Sequence, residues 1–122
     1  MQSSTAKPNL LHICRREMLR PLRDQILRLS GFEVTSTLSF DEGLKRFQEQ
    51  PCDLVLIDVE GESGIADAER LCSNIKTLDP AQTVAFVCNW RVAIQTDCPD
   101  EIIRTEFDPK AFILGVEEIL KK

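Results

Sequence analysis

The chain of 122 residues lacks the features that would place it in a membrane, in a disulfide-rich class or on nucleic acid. No run approaches the roughly 18 apolar residues of a membrane span, and residues 1–9 lack the apolar core of a signal peptide. Acidic residues outnumber basic ones by 20 to 15, and the net charge of -5 has the wrong sign for a nucleic-acid-binding face. The cysteines number 5, without a Cys-x-x-Cys pair, so neither a disulfide framework nor a zinc ribbon is indicated. We therefore expect a cytoplasmic protein that binds neither membranes nor nucleic acid.

Glycine and proline are scarce, at 5 and 6 residues, which excludes a collagenous or low-complexity chain. Hydrophobic residues make up 43% of the sequence, enough for a real core. Residues 1–8 are small and polar and end at Pro8, so we predict a flexible leader there. Residues 9–122 then form one domain of ordinary size.

Short apolar runs alternate with amphipathic stretches along that domain. The third and fourth runs are apolar on both sides of the pleat, which is typical of strands buried in a parallel sheet. The five predicted strands cover residues 10–14, 32–37, 53–59, 83–88 and 101–104.

Apolar residues at helical spacing predict helices over about 18–30, 39–50, 67–78 and 109–120. Ser39 and Asp108 are predicted N-caps, and Gly31 is predicted to end the first helix. Between the last two strands, only residues 92–96 could be helical. The first helix is predicted to bury the stripe Met18, Leu19, Leu22, Ile26 and Leu29. Strands and helices that alternate in this way predict an α/β fold with an open parallel sheet.

Ligand sites in such sheets lie at the carboxyl ends of the strands, where Asp58 closes an apolar run. The run PCDLVLIDVEGESG, with GFEV and SFDEGLKRF before it and EFDPKAFILGVEEIL after it, resembles the receiver domain of bacterial response regulators over about residues 9–121. The resemblance implies a flavodoxin-like, doubly wound five-stranded sheet of order 2-1-3-4-5, here with the fourth helix shortened or missing. It also implies that Asp58 stands at the position that a histidine kinase phosphorylates.

Most of the other residues of the family's phosphorylation site are replaced. The metal-binding acidic pair falls on Cys14 and Arg15, the hydroxyl residue on Cys88, and the lysine on Thr105. A thiol and a guanidinium are not ligands for Mg²⁺, so we expect no cofactor and poor magnesium binding. Our hypothesis is a noncatalytic pseudo-receiver in which Arg15 pairs with Asp58 and takes the metal's place. It would act by binding a protein partner, either a sensor kinase or an output protein.

Two other functions stay open at this stage. A conventional receiver would be phosphorylated on Asp58, with Glu17 and Glu60 supplying metal oxygens. A thiol redox sensor would use Cys14 or Cys88.

The remaining candidates concern one helix face, one histidine and one tryptophan. Arg16, Arg20 and Arg23 fall on one face of the first helix and form a possible partner surface, or an ordinary solvated face. His12, the sole histidine, lies in the middle of the first run and is therefore predicted to be a packed strand residue. A His12-x-Cys14 metal half-site lacks a second ligand pair. Trp90 either covers the sheet where the fourth helix is short or is an exposed anchor, and we predict the former because a lost helix uncovers apolar sheet.

Overall fold

A computed structural model describes residues 7–89, 96–105 and 108–122 of the chain. The five predicted strands and four predicted helices are all present, with ends that shift by one or two residues. In chain order they are β1 (Asn9–Ile13), α1 (Leu19–Leu29), β2 (Glu33–Thr37), α2 (Phe40–Glu49), β3 (Leu54–Val59), a short 3₁₀ turn (Glu62–Gly64), α3 (Ile65–Leu78), β4 (Val84–Cys88), β5 (Glu101–Arg104) and α4 (Pro109–Leu120).

The strands form one parallel sheet in the order β2-β1-β3-β4-β5, as the flavodoxin-like expectation requires. One apolar cluster packs α2 and α3 against the sheet, and a second packs α1 and α4 against its other face. β3 and β4 are buried along their whole length, which explains why their sequences are apolar on both sides. The carboxyl ends of the strands therefore meet at one edge, between the two layers of helices.

The predicted helix ends are confirmed. The Ser39 hydroxyl accepts a hydrogen bond from the Glu42 amide at 3.0 Å, and the Asp108 carboxylate caps α4 at the Lys110 and Ala111 amides. Gly31 follows α1 with a φ of 96°, a left-handed conformation that costs glycine little.

The rotation of α1 differs from the prediction. Its buried residues are Arg23, Asp24 and Leu27, whereas Met18 and Leu29 of the predicted stripe are 84% and 79% exposed. Hydrophobic spacing alone could not predict this rotation, because the buried charges of α1 are satisfied by polar side chains on the sheet. The helix therefore leaves an apolar face on the surface.

The connection between β4 and β5 contains no helix within the described residues 96–100. Most of the predicted short helix at 92–96, and Trp90, lie outside the described residues. Just before β1, the Pro8 carbonyl accepts a hydrogen bond from the Glu33 amide at 2.9 Å. None of the helices that the structure describes is long and apolar enough to cross a membrane.

Candidate functional site

A row of polar side chains crosses the α1 face of the sheet near its carboxyl edge. His12 on β1 pairs in register with Ser36 on β2 and with Leu56 on β3. Asp58 lies two residues beyond Leu56 and therefore projects from the same face of the sheet. Because this face otherwise carries apolar core residues such as Leu10, the three polar side chains need partners within the protein.

Helix α1 supplies those partners. The two ring nitrogens of His12 contact two carboxylates, with Nδ1 at 2.8 Å from Asp24 Oδ1 and Nε2 at 2.6 Å from Asp58 Oδ2. Asp24 also accepts hydrogen bonds from Ser36 at 2.6 Å and from Arg20 at 3.1 Å. His12 is fully buried and the two aspartates nearly so. The network therefore joins β1, β2 and β3 to α1.

Asp58 is engaged at both carboxylate oxygens. Oδ2 faces His12, and Oδ1 accepts a hydrogen bond from Nη1 of Arg23. The guanidinium of Arg23 in turn lies 5.3 Å from the ring centroid of Phe112 on α4. With 3% of its surface exposed, Asp58 is enclosed by cationic donors.

The contacts and the pKa shifts that they cause together favour one charge state for this network. A neutral imidazole carries only one N–H, so it could not donate to both carboxylates. Burial acts to lower the pKa of His12, but hydrogen bonds and charge from Asp24 and Asp58 outweigh it and raise that pKa above its usual value. Burial likewise acts to raise the pKa of Asp58, but His12 and Arg23 outweigh it and lower that pKa. We therefore assign an imidazolium between two ionised aspartates.

The predicted pairing of Arg15 with Asp58 is wrong. Arg15 Nε donates to Glu60 at 2.7 Å, its Nη1 donates to Asp67 at 3.1 Å, and its guanidinium lies 4.1 Å from the ring centroid of Phe40. These contacts are on the α2 and α3 side of the sheet, whereas Asp58 projects toward α1. The cation that pairs with Asp58 comes from α1 instead.

The predicted surface of Arg16, Arg20 and Arg23 is also corrected. Only Arg16 is exposed; Arg20 is partly buried and Arg23 is 7% exposed. Arg20 donates to Asp24 and, at 2.7 Å, to Ser36. Two of the three arginines are therefore internal partners of the sheet, because the polar row would otherwise be unsatisfied.

Cys14, Cys88 and Thr105 are buried at the carboxyl edge, and their assignment with Arg15 to one pocket stays a prediction. Burial, reinforced by the charge of Asp58, raises the pKa of Cys14 to about 12. Burial also raises the pKa of Cys88. A redox sensor needs a thiol that the oxidant can reach, and both of these cysteines are buried, so they do not suit that function. The Thr105 hydroxyl donates to the Asp108 carbonyl at 3.3 Å, beside the start of α4.

The sequence-based interpretation missed Asp24 and the pairing role of His12. A usable signal was present, because Arg20, Asp24 and Leu27 recur at helical spacing and would share one face of α1. A second signal was the lone polar residue in the middle of β1. Neither signal identifies its partner, since the contacts join residues 12 and 46 positions apart in the chain.

No protein-family model and no curated protein matches the chain by sequence. Solved structures do match its fold. A CheY-like response regulator receiver domain protein of Methanospirillum hungatei JF-1 is 18% identical, with 95% of each chain covered and a TM-score of 0.79. A receiver domain protein of Clostridium thermocellum is 17% identical, with coverage of 93% of this chain and 94% of that chain and a TM-score of 0.75.

The response regulator TrrA of Thermotoga maritima, solved in complex with Mg²⁺-BeF, is 20% identical, with coverage of 92% of this chain and 98% of that chain and a TM-score of 0.77. The chain therefore has the CheY-like receiver fold.

The residues present at the edge of the sheet do not fit the Mg²⁺ that a receiver fold implies. Among the described residues, His12, Cys14 and Asp58 form one group whose ligand atoms lie within 4.8 Å of one another. Mg²⁺ requires about six oxygen ligands, and this group offers one carboxylate that is already paired with two cations. Glu60, considered above as an oxygen donor, is paired with Arg15, and Glu17 is exposed.

Proposed function

We propose that the chain is a noncatalytic, receiver-type module of two-component or phosphorelay signalling that works without phosphorylation of Asp58. One observation carries this proposal: each carboxylate oxygen of Asp58 is bound by a buried cationic side chain. The receiver fold supports a role in two-component signalling. Because both oxygens of Asp58 are occupied, we propose that this role does not require phosphorylation of Asp58.

Phosphoryl transfer to a carboxylate requires a free oxygen to attack and positive charge to neutralise the transferred group. His12 and Arg23 supply positive charge here, but both are already paired with the carboxylate of unphosphorylated Asp58. Freeing one oxygen would break a charged hydrogen bond and leave a buried cation without its partner, which costs several kcal/mol. The network therefore suppresses the reaction.

The module would act through a protein partner, such as the sensor kinase or output protein of its pathway. The surface that supports this step is the exposed apolar face of α1, formed by Met18, Leu22 and Leu29. A groove of about 300 Å³ continues it between α1 and α4, where Pro109 and Phe112 line the wall.

The charges beside this face indicate the chemistry of the partner. Arg16 and Arg28 are exposed near the two ends of α1. We therefore propose a partner surface with apolar side chains in its centre and carboxylates at its rim. The free cysteines fit the reducing cytoplasm in which we place this interaction.

A magnesium titration by calorimetry tests whether the paired carboxylate of Asp58 can still bind Mg²⁺. TrrA of Thermotoga maritima, whose structure was solved with Mg²⁺-BeF, is the positive control. We expect TrrA to bind Mg²⁺ and the present chain to give only the heat of dilution. Saturable binding of one Mg²⁺ per chain that disappears in Asp58→Asn would contradict the proposal.

A further inference from the structure

Two cysteines away from Asp58 lie side by side. Cys72 is fully buried on α3, and Cys98, in the connection before β5, packs against the same apolar cluster and is partly exposed. The Cys98 sulfur lies 3.8 Å from the hydroxyl oxygen of Ser73, the residue next to Cys72. The pair thus combines one thiol that solvent reaches with one that solvent does not.

A second set of contacts holds the two segments in register. Lys76 Nζ donates to Asp100 Oδ2 at 2.7 Å, and that carboxylate oxygen also accepts from the Val84 amide at 2.8 Å. Lys76 is one helical turn after Cys72, a rise of about 6 Å, and Asp100 is two residues after Cys98. The ion pair therefore holds the segment that carries Cys98 against the part of α3 that carries Cys72.

We propose that Cys72 and Cys98 are a reversible dithiol–disulfide site that a peroxide oxidises. In the first step the sulfur of Cys98 attacks one peroxide oxygen, the O–O bond breaks and the other oxygen leaves as water, giving a sulfenic acid. In the second step the sulfur of Cys72 attacks that of Cys98, the S–O bond breaks and a second water leaves. Two thiols lose two electrons in total, and the peroxide is reduced to two waters.

The environment of Cys72 sets the order and the rate of these steps. Burial keeps peroxide from Cys72 and raises its pKa, and the thiol of Cys98 beside it raises that pKa further. Cys98 therefore reacts first, and Cys72 resolves the sulfenic acid with the help of proximity. The second step should accelerate as the pH rises, because more Cys72 is then ionised. The disulfide would tether the β4–β5 connection to α3.

The test uses the full chain, treated with hydrogen peroxide, blocked with N-ethylmaleimide and digested with trypsin without reductant. The expected product is residues 71–76 joined to residues 92–104, each of which contains a single cysteine. Dithiothreitol should separate the two peptides. Cys98→Ser should abolish the product, and Cys52→Ser should leave its yield unchanged, because Cys52 is also partly exposed but lies elsewhere.

Three outcomes would overturn the proposal. They are oxidation of Cys98 to the sulfinic acid without a cross-link, a disulfide between different cysteines, and a cross-link between two chains in place of the internal one. Since Cys98 is partly exposed, its serine variant is expected to fold, which circular dichroism checks before the oxidation. The outcome is independent of whether Asp58 accepts a phosphoryl group.

Discussion

The Nε2 atom of His12 lies 2.6 Å from Oδ2 of Asp58, at the edge of the sheet where a receiver fold carries its reactive carboxylate. This contact brings the only histidine of the chain into a buried network that also holds Asp24 and Arg23. Buried ion pairs of this kind add little net stability when complete, but removing one partner leaves an unpaired charge in the core. Substitution of any one charged residue of this network should therefore lower the free energy of unfolding.

The two arginines near the carboxyl edge should differ sharply on truncation. Among the described ion pairs of Asp58, Arg23→Ala leaves the one with His12, and we expect the free energy of unfolding to fall by about 3–5 kcal/mol. Arg15→Ala breaks ion pairs whose partners are partly exposed, so its effect should be much smaller. Urea denaturation at neutral pH measures both. Equal effects, or a larger effect for Arg15, would contradict the assignment of Arg23 as the partner of Asp58.

The protonation states predict that the free energy of unfolding is constant over a middle range of pH and falls at both lower and higher pH. The native state holds the His12 proton more tightly than the unfolded chain, so the contribution of His12 is complete below its usual pKa of 6.5 and is lost as the pH rises above that value toward the native pKa. The native aspartates hold protons less tightly, so their contribution is complete above the usual pKa of 3.8 and is lost at lower pH. Each group should give a slope of up to about 1.4 kcal/mol per pH unit.

Because the chain contains a single histidine, long-range ¹H–¹⁵N NMR reports on His12 without resonance assignment. We expect the NMR pattern of a doubly protonated imidazole at pH 7. We also expect the urea concentration at the midpoint of unfolding to decline from pH 6.5 upward. His12→Asn should remove the alkaline decline while retaining the acid one that Asp24 and Asp58 cause. A neutral His12 at pH 7 in the folded protein would contradict the imidazolium assignment.

The rotation of α1 can be tested with two leucines of the same helix. Leu27 is fully buried and Leu22 is 58% exposed. We expect Leu27→Ala to lower the free energy of unfolding by about 2–5 kcal/mol and Leu22→Ala to change it by about 0.5 kcal/mol or less. The hydrophobic stripe of the sequence predicts a substantial loss for Leu22 instead, so chemical denaturation of the two variants decides between the two rotations.

Local patterns predicted most of the fold because they have local causes. Each of these features depends on a few neighbouring residues: the burial of β3 and β4 on both faces, the N-caps at Ser39 and Asp108, and the left-handed Gly31. The sheet order came from the family resemblance, which the solved receiver structures support.

The partner of Asp58 could not be predicted in that way. The sequence favours Arg15 because it follows β1, the strand beside β3, but the side chain of Asp58 projects from the opposite face of the sheet. Arg23 reaches Asp58 only because α1 turns its charged face inward, and that rotation depends on His12 and Ser36 across the sheet. Hydrophobic periodicity predicts which face of a helix is apolar, but it does not predict buried ion pairs.

The most direct test of the closed site is phosphorylation with a small-molecule phosphodonor. The chain is incubated with acetyl phosphate and Mg²⁺, with TrrA of Thermotoga maritima as the positive control and Asp58→Asn as the negative one, and intact mass is measured at successive times. We predict that TrrA gains the mass of one phosphoryl group and that the present chain stays unmodified. Stoichiometric labelling of the chain that is absent from Asp58→Asn would contradict the central claim that His12 and Arg23 close Asp58 to phosphoryl transfer.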